Sequence, residues 1–292
     1  MTRPHAPRTS WLPKLVVAPS FLLAFFFIYG LIAWNGYLSL TNSHLFPNYD
    51  FAGFQNYGAL AENDRFHVAL KNLGIFGVLF IGGSMVIGLL LAIMLDQKIR
   101  AEGVLRTIYL YPMAISFIVT GTAWKWILNP GLGVEHLVQG WGFADFKFDW
   151  LVDPDHAIYC IAIAGIWQAS GFVMALFLAG LRGIDDAIIK AAQVDGASLP
   201  RIYWRIVVPS LRPVFFSTLM VVSHLAIKSF DLVMALTAGG PGYATDLPAT
   251  FMYAMAFSRG QIGMGAASAT VMLATVAAIV VPYLYSELRV RK

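Results

Sequence analysis

Six long apolar blocks constrain this chain more than any other feature of its sequence. They cover approximately residues 15–40, 73–95, 107–128, 158–181, 214–236 and 264–285. Each is long enough to cross the hydrocarbon core of a bilayer as an α-helix, which takes about 20 mostly apolar residues. Only 12% of the 292 residues are charged, whereas soluble domains average about 25%. The sequence therefore predicts an all-α integral membrane protein with six transmembrane helices.

The first block could be mistaken for a secretory signal peptide, because Arg3, Arg8 and Lys14 precede it. Its apolar run is too long for a typical cleaved signal, and no clear small-residue cleavage site follows it. We interpret the block as a permanent membrane anchor.

Lysine and arginine are distributed unevenly among the segments that separate the blocks. Fourteen of the twenty basic residues fall in the N-terminal segment, in the segments after the second and fourth blocks, and in the tail. The other segments carry most of the acidic residues. Because cytoplasmic loops carry an excess of Lys and Arg, both termini are predicted to be cytoplasmic. The net charge of +4 then reflects membrane topology, and no nucleic acid partner is expected.

The predicted cytoplasmic segment 182–213 has the sequence signals of two short helices joined by a sharp corner. Asp185 or Asp186 can cap a helix that begins near Ala187, because a carboxylate accepts from the free N–H groups of a first turn. Gly196 can adopt a positive φ at little cost and end this helix. Pro200 suits the first turn of a second helix.

The second predicted helix of this segment is amphipathic. Its apolar stripe consists of Ile202, Tyr203, Ile206 and Val207. Arg201 and Arg205 face elsewhere, and Pro209 and Pro213 are expected to end the helix. A flexible linker would not need these features, whereas a docking element would. From the residues alone, an amphipathic surface loop without a partner is an equally good interpretation.

The same segment resembles a motif of a known family. The pattern Ala191-Ala192-x-x-Asp195-Gly196-Ala197, followed by Tyr203, Ile206 and Pro209, is similar to the "EAA" loop of ATP-binding-cassette (ABC) importer permeases. Pro209 lies thirteen positions after Gly196, which is the spacing of the family pattern. Lys190 stands where the family usually has Glu, so an ion pair of that Glu does not carry over to this chain.

The resemblance extends over most of the chain. The stretch FAGFQNY (Phe51–Tyr57) resembles the first outer loop of the sugar-type permeases, and LTAGGPGYATDLPATFMYAMAF (Leu236–Phe257) resembles their stretch after the fifth span. The second stretch points to the maltose-permease-F-like member of the usual permease pair, and SFDLVMALTAGGPG is similar to glucose or mannose importers. The resemblance implies a type I ABC importer permease fold in a bacterial-type cytoplasmic (inner) membrane.

The resemblance also implies a set of partners. They are a second homologous permease subunit, two ABC ATPase subunits, an extracytoplasmic sugar-binding protein and membrane lipid. The residues implied in ATPase coupling are Lys190, Ala191, Ala192, Asp195, Gly196, Ala197 and Pro209. The chain lacks a G-x-x-x-x-G-K-[ST] stretch, so a phosphate-cradling loop must come from another chain. We therefore expect a non-catalytic subunit with no cofactor and no metal.

Polar residues inside the fourth and fifth blocks are candidates for a solute pathway. His224, Lys228 and Asp231 are spaced by four and three positions, which places them on one face of a continuous helix and lets the last two pair. The fourth block contributes Trp167, Gln168 and Ser170. These groups either hold the bundle together by internal hydrogen bonds or line a pore for a hydroxyl-rich solute. The resemblance favours the pore, because the substrate region of the family lies on these two spans.

Two other functions compete with an ABC permease. A secondary active transporter could use Lys228 and Asp231, although the inverted repeats typical of such carriers are not evident here and the loop 182–213 would be unexplained. A membrane-embedded enzyme would need convergent reactive residues at one depth, and the sequence offers none.

Overall fold

The structure, a computed structural model, describes residues 11–46, 48–97 and 99–290. In chain order the helices are α1 (Trp11–Ser39), α2 (Gln55–Ala61), α3 (Asp64–Asp96), α4 (Glu102–Ala114), α5 (Phe117–Ile127), α6 (Val134–Gly140), α7 (Ala157–Leu181), α8 (Asp186–Val194), α9 (Leu199–Ile202), α10 (Val208–Ser210), α11 (Arg212–Ile227), α12 (Asp231–Leu236), α13 (Pro248–Tyr253) and α14 (Ile262–Val290). Two π-helical turns, Tyr203–Val207 and Ala254–Ser258, continue α9 and α13. The predicted orientation also rests on Arg3, Arg8, Lys98, Arg291 and Lys292, which lie outside the described residues.

Four of the six predicted spans correspond to single long helices. These are α1, α3, α7 and α14, each long and apolar enough to cross a membrane. The helix α3 has 33 residues and begins well before the predicted start of the second span. Asn63 fixes this start, since its side chain accepts a hydrogen bond from the N–H of Phe66 at 3.1 Å.

The third predicted span is bent sharply, by 99° between α4 and α5. Pro112 lies in the last turn of α4, and its missing N–H and its ring weaken the continuing helix. Ser116 then caps α5, because its hydroxyl accepts from the N–H of Val119 at 3.3 Å. The span is therefore two helices rather than the single helix predicted over 107–128.

The fifth predicted span, 214–236, is also not a continuous helix. The helix α11 ends at Ile227, and α12 begins at Asp231 after a break at residues 228–230. Because of this break, Lys228 and Asp231 lie at helix ends and not in the interior of one helix. There the Asp231 carboxylate lies in a first turn, where the helix dipole favours negative charge.

The helix α7 forms the centre of the bundle. It is contacted by α3, α4, α5, α11 and α12, and Ile161, Val173, Met174 and Phe177 on it are fully buried. By contrast, α1 packs along α14 and exposes nearly all of its apolar side chains. The core of this chain is thus assembled around the fourth predicted span, and α1 lies at the edge.

The contact between α3 and α7 depends on a close approach at Gly88. A Cβ atom at this position would lie 2.5 Å from Val173 Cγ1 and 2.9 Å from the backbone N of Met174. Small residues at such crossings let two membrane helices pack closely.

We expect Gly88→Ala to destabilise the bundle by about 1–3 kcal/mol, because α7 would have to move away from the added methyl group. The matched control is Gly82→Ala on the same helix, where nothing lies within 4 Å of the added atom. Thermal unfolding of the two variants in detergent measures the difference. Equal melting temperatures would contradict the packing described here.

Candidate functional site

The sharp corner predicted within the segment 182–213 is present in the structure. The Asp185 carboxylate accepts from the N–H of Ala187 at 2.8 Å, and α8 follows. Gly196 has a φ of +79°, as predicted. Around it the N–H of Ala197 bonds to the carbonyl of Ala192, and the N–H of Gly196 bonds to the carbonyl of Gln193, both at 3.0 Å. These two bonds form a Schellman C-cap, so the direction of α8 is fixed at this glycine.

The second part of the loop is one helical run from Leu199 to Ser210, with a π-helical turn in its middle. Ile202 and Val207 are buried, and Tyr203 and Ile206 pack against the same core, which confirms the predicted stripe. Pro200 lies in the first turn, as predicted.

The helical run ends at Ser210, one residue after Pro209, as predicted, whereas Pro213 belongs to the next helix, contrary to the prediction. Pro213 lies in the first turn of α11, which follows after a bend of 65°. Proline is tolerated at this position because the N–H groups of a first turn have no partner within the helix.

The loop packs on the bundle with one side and leaves the other side uncovered. Ile189, Ala192 and Ala197 contact the core. On the open side, Ile188 is 49% exposed and Val194 is 88% exposed. Of the predicted coupling residues, the exposed ones are Lys190, Ala191, Asp195, Gly196 and Pro209. An apolar strip without cover on a surface helix is suited to contact a partner protein.

Two polar contacts that were not predicted from the sequence attach this loop to the rest of the bundle. The Tyr203 hydroxyl donates to Asp96 Oδ2 at 2.7 Å and accepts from Gln97 Nε2 at 2.8 Å. Arg182 Nη2 pairs with Glu102 Oε1 at 2.5 Å. The sequence offered one indication of these contacts, because two acidic residues, Asp96 and Glu102, lie in or beside a basic segment.

The fourth-span candidates lie at the bend between α4 and α5. Trp167 is 42% exposed and packs edge-on against Trp124, with ring centroids 5.9 Å apart. Both rings line an apolar cavity of about 170 Å³. The contact of Trp124 with Trp167 was not predicted from the sequence.

The polar neighbours of Trp167 are buried. Gln168 donates from Nε2 to the carbonyl of Ile115 at 2.7 Å, which satisfies a backbone group at the bend. Its Oε1 has no hydrogen-bond partner among the described residues. Ser170 donates to the carbonyl of Trp167 at 3.2 Å. These contacts brace the bend, and the indole of Trp167 is the part of this group that reaches a cavity.

The fifth-span candidates are not arranged as predicted. Within the described residues, no ion pair joins Lys228 and Asp231. The helix break separates them, because Lys228 ends α11 and Asp231 begins α12. Both are exposed and line one cavity of about 130 Å³ together with Phe76, Phe80 and Phe117. His224 is exposed one turn earlier on α11.

The structure therefore divides the predicted pathway residues between two cavities. Trp167 lines one and the two charged residues line the other, and both cavities border α5 through Phe117 and Thr120. The aromatic lining of the charged cavity could not be inferred from spacing, because Phe76 and Phe80 belong to another span.

A buried ion pair at the start of α3 was also missed in the sequence analysis. Arg65 Nε donates to Asp246 Oδ2 at 2.5 Å, and the Asp246 side chain is only 2% exposed. The guanidinium of Arg65 lies over the ring of Tyr243, 4.2 Å from its centroid. Asn72 donates to the carbonyls of Ala244 and Asp246 at 2.9 and 3.0 Å. These contacts fasten the loop 237–247 to the first turns of α3.

Comparison with known proteins adds to this geometry. The family described as binding-protein-dependent transport system inner membrane component matches residues 84–291. A probable ABC transporter permease protein of Pyrococcus horikoshii is 40% identical over 93% of this chain and 94% of its own length. The xylose/arabinose import permease protein XacH of Haloferax volcanii is 37% identical over 91% of this chain and 85% of its own length.

A third relative and a solved structure extend the comparison. The sn-glycerol-3-phosphate transport system permease protein UgpA of Rhizobium meliloti is 31% identical over 91% of this chain and 90% of its own length. A bacterial ABC transporter involved in the import of the acidic polysaccharide alginate contains a chain with a TM-score of 0.84 and 21% identity, covering 97% of this chain and 96% of that chain. This last likeness establishes a shared fold.

Proposed function

Because the chain belongs to the family of inner membrane components of binding-protein-dependent transport systems, we propose that it is the maltose-permease-F-like subunit of an ATP-driven sugar importer. It forms half of the translocation pathway, and a second homologous permease forms the other half. Both termini lie in the cytoplasm. The loop 182–213 receives the motion of two ABC ATPase subunits, and an extracytoplasmic sugar-binding protein delivers the solute on the other side.

One observation carries this proposal, namely the geometry of the loop at Gly196. The Schellman cap at this glycine sets the direction of α8, and α8 leaves the apolar residues Ile188 and Val194 uncovered. A helix held at a fixed angle with an apolar strip is suited to a groove on a separate ATPase. Polar contacts at Tyr203 and Arg182 give the loop a firm connection to the bundle, which a coupling element requires.

The solute is proposed to be a sugar or a closely related polyol derivative. Two named relatives support this class, since their names refer to xylose/arabinose and to sn-glycerol-3-phosphate. The indole of Trp167 and the charged groups of Lys228 and Asp231 are suited to such a solute, because sugar rings stack on aromatic faces and their hydroxyls need polar partners. Import of glucose or mannose stays a prediction from sequence resemblance.

The partners of the proposed importer lead to a direct test of the division of labour. The purified chain alone should hydrolyse no ATP, because it lacks a nucleotide-binding loop. The complex with its second permease and two ATPases, reconstituted in liposomes with the binding protein outside, should take up sugar only when ATP is enclosed inside. ATP hydrolysis by the pure isolated chain would overturn the proposal. Binding calorimetry on the cognate binding protein would identify the sugar.

The charged cavity provides a test of the solute pathway. Because Lys228 and Asp231 are exposed and unpaired with each other, we expect Lys228→Gln and Asp231→Asn to insert and assemble normally. Each substitution should lower sugar uptake at least about tenfold. The reason is that each removes one charged hydrogen bond to the solute, which contributes about 1.5–3 kcal/mol.

The matched control for the charged cavity is Lys125→Gln, at an exposed position near the end of α5. This variant should retain full uptake in the same liposomes. Undiminished uptake by both Lys228→Gln and Asp231→Asn would remove these residues from the pathway.

A secondary active transporter is the second candidate function. It would exploit Lys228 and Asp231 as proton-binding groups, and their position in one cavity is the observation that favours it. Liposomes containing this chain alone, with an imposed pH gradient and no ATP, distinguish the two functions. Gradient-driven uptake would favour the carrier, and its absence together with ATP-dependent uptake by the full complex would favour the importer.

A further inference from the structure

The helix α3 is fastened at both of its ends by polar contacts to loops that lie on opposite sides of the membrane. We call the inner contact, made by Tyr203 with Asp96 and Gln97, the inner joint. We call the contact of Arg65 and Asn72 with the loop 237–247 the outer joint. Arg65 and Asp96 are 31 positions apart on α3, which corresponds to about 47 Å at a rise of about 1.5 Å per residue.

Both joints are specific enough to hold a loop in one position. At the outer joint the Asp246 carboxylate also accepts from the Thr250 hydroxyl at 3.0 Å, so both of its oxygens are used. At the inner joint the Tyr203 hydroxyl is both donor and acceptor. Neighbouring Ile202 and Val207 are buried, so the tyrosine cannot move without disturbing the core.

Between the joints, α3 is supported along its length. It contains no proline, and it packs against α7 more extensively than any other described pair of helices packs. Gly83 and Gly88 bring its backbone close to Ile166 and Val173 of α7. A helix braced in this way moves as one body, so a displacement at one end appears at the other.

The outer loop has an exposed tip above its buried base. Thr245, Asp246 and Leu247 are buried, whereas Gly242 and Tyr243 are exposed. The tip is therefore accessible to an extracytoplasmic protein, while the base is joined to α3.

We propose that α3 is the strut that connects the extracytoplasmic loop 237–247 to the cytoplasmic loop 182–213, with Arg65, Asp246, Tyr203 and Asp96 as its positioning residues. This inference rests on the proposed importer function and assigns the residues by which the two sides of the membrane are coupled. Docking of the extracytoplasmic protein at the tip shifts α3 through the outer joint. The inner joint passes this shift to α8 and so to the ATPases.

The test uses the complete complex in liposomes and measures ATP hydrolysis with and without the binding protein, together with sugar uptake. The inner variant is Tyr203→Phe, which removes only the hydroxyl, and its matched control is Tyr111→Phe at an exposed position of α4. The outer variant is Arg65→Gln with Asp246→Asn, which removes both charges together, and its control is Arg259→Gln at an exposed position.

We expect each joint variant to lower the stimulation of ATP hydrolysis by the binding protein about fivefold or more, which is the lower end of ordinary allosteric coupling. Basal ATP hydrolysis and the melting temperature should change little. The controls should behave as the parent complex. A joint that is only structural would lower basal and stimulated hydrolysis in the same proportion, and that result would overturn the proposal.

A double-mutant cycle provides the second criterion, since a claimed route between sites needs direct evidence of coupling. If the two joints act in series, breaking either one interrupts the coupling. The combined variant should therefore lose no more stimulation of ATP hydrolysis than the more damaging of the two single variants. Independent damage would instead add in free energy, and the losses of stimulation would multiply.

If the losses of stimulation multiply in this cycle, the proposal that α3 couples the two loops is wrong. A parent complex without binding-protein-dependent uptake would instead refute the proposed importer itself, and the two failures are thereby distinguished.

Discussion

Replacing Asp246 with alanine is expected to destabilise this protein by about 3–5 kcal/mol, the cost of leaving one partner of a buried ion pair unpaired. Arg65 is only 17% exposed at its side chain, so its guanidinium cannot recover full hydration. The loop 237–247 would lose its attachment to α3, and the yield of folded protein in detergent should fall sharply. Thermal or denaturant unfolding of the purified chain measures the effect.

Two comparison variants show whether the ion pair is responsible. Asp145→Ala removes a carboxylate from an exposed position and should change the stability by less than about 0.5 kcal/mol. The double substitution Arg65→Met with Asp246→Leu removes both charges and should recover most of the loss, because apolar replacements of buried ion pairs are often neutral. A double variant as unstable as Asp246→Ala would mean that the charge is not the cause.

Replacing Gly196 with valine is expected to abolish most sugar uptake while leaving the chain inserted and assembled. The backbone φ of +79° at this position is costly for a β-branched residue, by about 1–3 kcal/mol. Relief of this strain would open the Schellman cap and turn α8 away from its present direction. In the complete complex, uptake should fall about tenfold or more, while the binding protein still docks.

A graded series makes this prediction specific to the backbone conformation. Gly196→Asn should be milder than Gly196→Val, because asparagine adopts the left-handed conformation more readily. Ser198→Val introduces the same side chain two positions later, where the backbone is extended and accepts valine. If Ser198→Val and Gly196→Val reduced uptake equally, the corner would not be the coupling element.

Local chemistry determined much of the structure of the loop 182–213. The cap at Asp185, the positive φ at Gly196 and the first-turn position of Pro200 each depend on bonds within a few residues. The residues that make such contacts are neighbours in the sequence, so the contacts can be predicted from it. Pro213 was interpreted wrongly, because a proline that ends one helix and a proline that begins the next look alike in a sequence.

Average apolarity likewise determined which segments are long membrane helices, but it carried no information on whether a segment is one straight helix or two helices at an angle. The blocks at 107–128 and 214–236 were predicted as spans like the other four, yet both contain breaks. A hydropathy average adds the transfer free energies of side chains, and it does not depend on whether the backbone between them is straight. The predicted pairing of Lys228 with Asp231 failed for this reason, since it assumed one continuous helix.

Only the tertiary structure decided which distant groups meet. Arg65 and Asp246 are separated by 181 positions, and Tyr203 and Asp96 by 107. Each sequence segment shows an isolated charged or hydroxyl group whose partner could be any of many others. Burial in a bundle makes an unpaired polar group expensive, so these groups must find partners, and the packing of α3 against its neighbours determines which partners are within reach.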